Sequence, residues 1–183
     1  MPIDLKNKLA GILVPVFALR HANDLGIGDT TAMKDAIEFC RRNKIGVLQI
    51  LPINETGGDN SPYNAISSQA LEPAYITISP QAVPGLAADD ISKAIPDREL
   101  ATLREGSVNY AVVKKLKLEL LGRAFARFQS DHLQKGSDLA RQFAAFEKQN
   151  ERWLPAYTLY RALIDKHAGN TAWPQWQEPL RSF

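Results

Sequence analysis

Two short apolar runs, Gly11 to Phe17 and Gly46 to Leu51, stand out near the start of the chain, each bounded by turn-forming residues. Runs of this length predict strands buried on both faces. Between them Asp29 occupies an N-cap position, and Met33, Ala36, Ile37 and Cys40 recur at the spacing of one buried helical face. Arg41, Arg42 and Lys44 fall where the helix dipole favours cations, and Asn43 is the expected terminator ahead of Gly46. Strand, helix and strand in this order predict a βαβ unit with parallel strands and a right-handed crossover. Ala74 to Ser79 alternates apolar and polar residues, which predicts a further short strand pairing at an edge.

After Pro80 the pattern turns helical. Gln81 to Gly85 reads as a proline-containing linker, and Asp89-Asp90 and Asp97 to Glu99 read as starts of short capped helices. From Ser107 to the neighbourhood of Ser130 the spacing predicts a long helix, with Val113, Leu116, Leu120 and Ala124 on one stripe, widened by Leu121, Phe125 and Phe128. Gly136-Ser137 interrupts it, and Leu139, Phe143 and Phe146 then mark an amphipathic stretch reaching Trp153. Pro155 suits the first turn of a last helix carrying Tyr157, Tyr160, Leu163 and Ile164 and stopping between His167 and Gly169. Aromatics at such spacing are assigned to the core. The change of character divides the chain into residues 1–80, where strand and helix alternate, and residues 81–183, which are helical.

The junction with most chemical content is Val47 to Asn54 running into Glu55 to Asn64. In α/β architectures ligands gather beyond the carboxyl ends of buried strands. Here the loop offers Asp59, Asn60, Ser61 and Asn64 for hydroxyl groups, Pro62 to stiffen the turn, and Tyr63 as an aromatic face for the apolar side of a pyranose ring. A surface turn with a packing tyrosine would use the same residues. The carboxylates of Glu55 and Asp59 invite a catalytic reading, but loop carboxylates are commonly just solvated.

Composition narrows the function classes. The 183 residues suffice for one compact domain, and 45% hydrophobic with 23% charged residues is ordinary for a soluble globular protein. A net charge of +2 and a pI near 8.7, without basic runs interleaved with aromatics, argue against nucleic acid as a partner. The single cysteine, Cys40, falls on the apolar face of the first helix and reads as a buried, inert thiol, which fits a reducing cytoplasm. The polar first residues lead into only a short apolar run, so neither a signal peptide nor a membrane span is expected. His21, His132 and His167 are far apart and lack metal-ligand spacing, so no metal is expected. Gly26-Ile27-Gly28-Asp29 lacks the third glycine and the lysine of phosphate loops, and is read as a tight turn with an Asp cap. No cofactor is expected.

Taken together, Gly11 to Arg20, Asp24 to Asp29, Val47 to Pro52 and Ser61-Pro62-Tyr63 resemble the amino-terminal part of the 4-α-glucanotransferases, the amylomaltases and disproportionating enzymes of glycoside hydrolase family 77. A second patch agrees: Phe146 to Leu163, with Asn150, Trp153, Leu154, Tyr157 and Tyr160, followed by His167, Trp173, Trp176 and Leu180-Arg181, is similar to that family's N-x-x-W-L-x-x-Y-x-L-F-x-A-L stretch. A third patch is Val108-Asn109-Tyr110 with Val113 and Lys117, where the family has V-D-Y.

The resemblance implies an α/β fold: the first units of a (β/α)8 TIM barrel, followed by a mainly helical insertion subdomain, so that the barrel is incomplete. It also implies transfer of 1,4-α-glucan segments by a retaining double displacement. An aspartate nucleophile, a glutamate acid/base and a third acid perform that reaction, and retention needs two carboxyl groups about 5 Å apart. None of the three matches a position in this chain. They are expected downstream of Phe183, in a missing carboxy-terminal barrel portion, which leaves this chain inactive by itself. The implied partners are malto-oligosaccharides or other α-glucans, with neither nucleic acid nor membrane. Tyr63 matches the tyrosine that packs on the donor sugar, and Ser61 a serine close to the same subsite. Asn64 stands where bacterial members often carry glutamine, and Asn60 separates Asp59 from the common G-D-S-P-Y form. Pro15 to Arg20 with Asn54 to Thr56 are closer to plant cytosolic disproportionating enzymes. The competing class is a non-catalytic glucan-binding or interaction module.

Overall fold

Asp29 caps the first helix as its position predicts, its carboxylate accepting from the N–H groups of Thr31 and Ala32. This helix, α1 (Thr30–Arg42), joins two parallel strands, β1 (Gly11–Leu13) and β2 (Val47–Gln49), in which Gly11 pairs with Val47, Ile12 with Leu48 and Leu13 with Gln49. The βαβ unit is present, with strands shorter than the apolar runs. Pro15 ends the first of them: it has no N–H for a ladder, and Val16–Ala18 turn into a 3-10 helix. The computed structural model describes residues 8–167, 169–177 and 180.

The expectation that these strands are covered on both faces fails among the described residues. Leu13 is 60% exposed and Val47 38%. An open concavity of about 600 Å³ is lined by Ile12, Leu48, Ala36, Phe39 and Cys40 among others. Two strands and one helix bring too few side chains to shield both faces of a sheet. For the same reason Ile37 is exposed, and the buried side of α1 is carried by Ala32 and Cys40, with Met33 and Ala36 half-buried.

Ala74 to Ser79 is not a strand. Pro73–Tyr75 form a 3-10 turn whose cap, Glu72, accepts from the Ala74 N–H. The Lys117 ammonium donates to the carbonyls of Ala74 and Ile76 at 2.6 and 2.8 Å. A lysine therefore occupies the backbone groups that an edge strand would have offered to a neighbour. Burial does not follow the alternation that suggested a strand: the adjacent Ala74 and Tyr75 are buried, and then Ile78.

Three helices complete this packing unit: α2 (Asp90–Ala94), α3 (Asp97–Glu105) and α4 (Tyr110–Phe128). The last starts after Asn109, whose side-chain oxygen accepts from the Val112 N–H, and is followed by a π-helical turn, Gln129–Leu133. Val113, Leu116, Leu120 and Ala124 are buried as their stripe predicts, the last three in a cluster with Leu25, Ile78, Leu86, Ile95 and Leu100, and Val113 in one with Val16, Ile27, Ala74 and Tyr75. Phe125 is exposed instead. Asp90 accepts from Arg127 Nη2 at 2.8 Å and from the Ala87 N–H, and this guanidinium holds its carboxyl well below the usual carboxylate range.

The turn before α1 is almost wholly buried. Asp24 accepts from Arg20 Nε at 2.7 Å, the His21 N–H at 3.0 Å and the Gly26 N–H at 2.8 Å, while Arg104 Nε donates to its carbonyl. Gly26 takes a φ of 90°, a conformation open to glycine. The segment from Asp24 to Asp29 is thus a structural turn with an Asp cap, as read from the sequence.

Packing divides the chain into Met1–Ile53 with Leu71–Phe128, and Asn54–Ala70 with Gln129–Phe183. These lines differ from the compositional boundary at residue 80. Composition follows local propensity, whereas packing groups segments by where their apolar faces are buried. In the second unit, α5 (Asp138–Gln149) is capped by Ser137 and α6 (Leu154–Lys166) carries Pro155 in its first turn. The amphipathic stretch expected to reach Trp153 stops at Gln149, because the Asn150 amide donates to the Phe146 carbonyl at 2.8 Å and closes the helix. Leu163, Ile164 and Trp176 form this unit's core with Ile66, Tyr160 and Leu180.

Among the described residues, no helix is long and apolar enough to cross a membrane, and no group of three or more His, Cys, Asp or Glu is placed to hold a metal ion.

Candidate functional site

The loop from Asn54 to Ala70 is organised from its base outward. The Ile66 N–H donates to the Glu55 carbonyl at 2.8 Å, the Glu55 N–H donates to the Ala70 carbonyl at 2.9 Å, and Thr56 bridges Ala65 in antiparallel fashion. Between these bonds the Glu55 carboxylate turns inward. It is 5% exposed, accepts from the Tyr157 hydroxyl, and pairs with Arg161 Nε at 3.2 Å. Glu55 is therefore not a solvated loop acid. A buried carboxylate needs a paired cation and hydrogen bonds, and α6 supplies both from positions four residues apart.

Toward the tip the side chains bond to the loop's own backbone. Asp59 Oδ1 accepts from the Ser61 N–H at 3.1 Å, and its Oδ2 accepts from the Asn64 amide at 2.8 Å. The Ser61 hydroxyl accepts from the Tyr63 N–H at 3.4 Å, and the Asn64 N–H donates to the Ser61 carbonyl at 3.0 Å. Asn60 adopts a φ of 56°, in the left-handed region that asparagine tolerates better than most residues. Pro62 fixes φ at the turn, and the ring of the next residue, Tyr63, is 76% exposed.

The sequence-predicted residues Asp59, Ser61, Pro62, Tyr63 and Asn64 thus come together in one self-bonded turn. Asp59 and Ser61 shape it, and Tyr63 is presented to solvent rather than packed. Loop conformation here is held by short-range polar contacts, so the backbone that carries Tyr63 is fixed within the loop itself.

Three features were not singled out from the sequence. The first is the Glu55 anchor, whose partners Tyr157 and Arg161 at i and i+4 were a readable signal. The second is a concave surface of about 520 Å³ lined by Asn64, Ala65, Ile66, Tyr160, Thr171 and Trp173. Its wall is set by the Tyr160 hydroxyl donating to the Thr171 carbonyl at 2.9 Å and by Tyr160 lying against Trp176, ring centroids 5.8 Å apart. Burial raises the Tyr160 phenol, which stays neutral and keeps that bond. The third is the stacking of His167 on Trp176, with centroids 4.8 Å apart and planes 6° from parallel.

Comparison with known proteins agrees with the residues already described. Residues 14–183 match the profile of glycoside hydrolase family 77, 4-alpha-glucanotransferase. A 4-alpha-glucanotransferase of Chlamydia caviae is 33% identical over 181 residues, covering 94% of this chain and 32% of its own length. That of Aquifex aeolicus is 32% identical over 179 residues, covering 95% and 32%. The 4-alpha-glucanotransferase DPE2 of rice is 30% identical over 163 residues, covering 85% and 16%. Among solved structures, the amylomaltase from Streptococcus agalactiae in complex with acarbose superposes with a TM-score of 0.67 at 22% identity, over 94% of this chain and 32% of that one. The chain spans about a third of the length of the Chlamydia and Aquifex relatives. With the profile matched over nearly all of its residues, the chain belongs to the 4-alpha-glucanotransferase family, glycoside hydrolase family 77.

Proposed function

We propose that this chain is the amino-terminal portion of a 4-α-glucanotransferase that moves 1,4-α-glucan segments to a new 4-position on an acceptor glucan or glucose, in the cytoplasm. The observation that carries this reading is the family match over residues 14–183, joined to a rigid turn that holds Tyr63 76% exposed. In this reading residues 1–80 supply the first units of a (β/α)8 barrel and residues 81–183 a helical subdomain. The remaining barrel units and the three acids belong to the length that relatives have and this chain does not span.

The division of labour follows from retaining chemistry. Two carboxyl groups about 5 Å apart must act on the anomeric carbon, one as nucleophile and one as acid/base. Glu55 is committed to Arg161 and Tyr157, and Asp59 to Ser61 and Asn64. Both therefore serve geometry. Tyr63 provides the aromatic face on which a donor glucosyl ring rests, with Pro62 and Asp59 fixing that face and Ser61 and Asn64 meeting sugar hydroxyls. Positioning of this kind lowers the barrier only when the ring is held better in the transition state than in the ground state.

In the intact polypeptide, Tyr63→Ala is expected to lower the turnover number on maltotriose by about tenfold or more, equivalent to about 1.4 kcal/mol of transition-state stabilisation, with a smaller change in KM. An unchanged turnover number removes Tyr63 from the site. The 183-residue chain by itself is expected to leave maltotriose unconverted, and chromatographic detection of maltotetraose from contaminant-free protein overturns the assignment of the acids to another part of the enzyme.

A further inference from the structure

The stretch with Asn150, Trp153 and Tyr157 carries part of the family resemblance, yet the transfer chemistry gives it no task. In the structure these three residues form a chain of contacts that ends on the loop of Tyr63. The Asn150 amide donates to the Phe146 carbonyl at 2.8 Å, and its side-chain oxygen accepts from the Trp153 indole N–H at 2.9 Å. The Trp153 ring lies beside that of Tyr157, with centroids 5.7 Å apart. The Tyr157 hydroxyl donates to the Glu55 carboxylate, and Arg161, one turn further along α6, pairs with the same carboxylate at 3.2 Å.

Glu55 is also where the loop backbone is fixed. Its N–H and carbonyl bond to Ala70 and Ile66, its neighbour Thr56 bridges Ala65, and the Gly57 N–H donates to the carbonyl of Asn64, next to Tyr63, at 3.3 Å. These bonds give the loop its shape, and two attachments to the rest of its packing unit set where that shape stands. One is apolar: Ile66 packs against the cluster of Leu163, Ile164 and Trp176. Apolar contact has no preferred direction and by itself lets the loop pivot. The other is the Glu55 carboxylate, whose charge-assisted bonds to Tyr157 and Arg161 do have a direction and remove the pivot.

We propose that Tyr157 and Arg161 are positioning residues for glucan transfer, acting through Glu55 to set where Tyr63 meets the donor sugar, with Asn150 and Trp153 holding Tyr157 in place. The inference rests on the transferase reading for the reaction that it affects. An aromatic face serves a transition state only from the correct place, and a misplacement of about 1 Å costs on the order of a hundredfold in rate. Removing the Tyr157 hydroxyl, with Arg161 and Ile66 still attached, is expected to cost a fraction of that.

The test compares wild type, Tyr157→Phe and Glu55→Gln in the intact polypeptide by two readouts. The first is amide hydrogen exchange of residues 56–66, read by mass spectrometry, which needs no substrate. Both variants are expected to exchange this segment about tenfold faster than wild type, the scale of a lost hydrogen bond to a charged group, with α1 unchanged. The second is turnover of maltotriose, expected to fall about threefold to tenfold in each variant with little change in KM. In a Tyr63→Ala background the same substitutions are expected to lower turnover less than about twofold, because the ring that they position is gone. A merely structural role gives the same factor in both backgrounds. Equal factors therefore overturn the positioning role, as does wild-type exchange of residues 56–66 in the folded variants. Circular dichroism identifies a variant that has unfolded, and the other then carries both readouts. Absence of transfer by the wild type, with exchange accelerated in the variants, overturns the transferase reading while the hold of Tyr157 on the loop stands.

Discussion

Lys117→Ala is expected to destabilise the first packing unit by about 3–5 kcal/mol, enough to unfold a marginal unit at ambient temperature. Lys117 is fully buried, and its ammonium donates to the Ala74 and Ile76 carbonyls. Removing it leaves two interior carbonyls without that donor and empties the volume of the longest side chain in the core. Lys117→Met keeps most of the volume and loses only the donors, so it is expected to fall between wild type and the alanine variant. Urea denaturation followed by far-UV circular dichroism separates the three. A midpoint for Lys117→Ala equal to wild type refutes the role.

The same lysine predicts a pH dependence. Burial lowers its folded-state value to about 8, against attraction from Asp29, Asp24 and Glu72, compared with 10.5 in the unfolded chain. Between those limits the unfolded chain binds more protons than the folded one, so this group makes stability rise with pH across that window. Below about pH 8 its contribution is flat, because both states carry the charge. Lys117→Met should lack the rise, and an identical pH profile in the two proteins counts against a charged, buried ammonium.

Gly28→Ala is the second large effect, expected to cost about 3 kcal/mol or more. A Cβ at Gly28 lies 1.9 Å from the Val16 carbonyl oxygen and 2.3 Å from that of Leu19. Both are backbone atoms in a turn that is itself bonded, since the Leu19 N–H donates to the Val16 carbonyl and the Gly28 N–H to that of Phe17. Neither can rotate aside as a side chain would. Relief therefore displaces the turn and with it the neighbouring Asp29 cap. Gly122→Ala is the matched control: it sits in α4 with nothing within 4 Å of an added Cβ, and it is expected to gain about 0.5–1 kcal/mol from helix propensity. Thermal midpoints moving in the same direction for both variants contradict the steric account.

The sequence by itself determined the local grammar of this protein. Asp29 and Asn43 announce helix ends because a short polar side chain meets unpaired backbone groups wherever it stands, and Pro155 marks a first turn for an equally local reason. The stripe Val113, Leu116, Leu120 and Ala124 was legible from period alone, and the family was legible from motifs that keep their order. The turn from Asp59 to Asn64 was legible as a turn because its bonds span at most five residues.

Tertiary structure decided whatever depends on a partner distant in the chain. Lys117 lies on the buried stripe, four residues after Val113, yet only the approach of Ala74 and Ile76, more than forty residues earlier, gives its charge a place. That same approach keeps Ala74 to Ser79 out of a sheet despite its alternation. Glu55 reads as a loop acid until Tyr157 and Arg161, about a hundred residues later, enclose it. The exposure of Leu13 and Val47 likewise depends on how few neighbours reach a two-stranded sheet, not on their own hydrophobicity. Local propensity is settled within a turn of chain, whereas burial and the pairing of charges are settled by which distant segments meet.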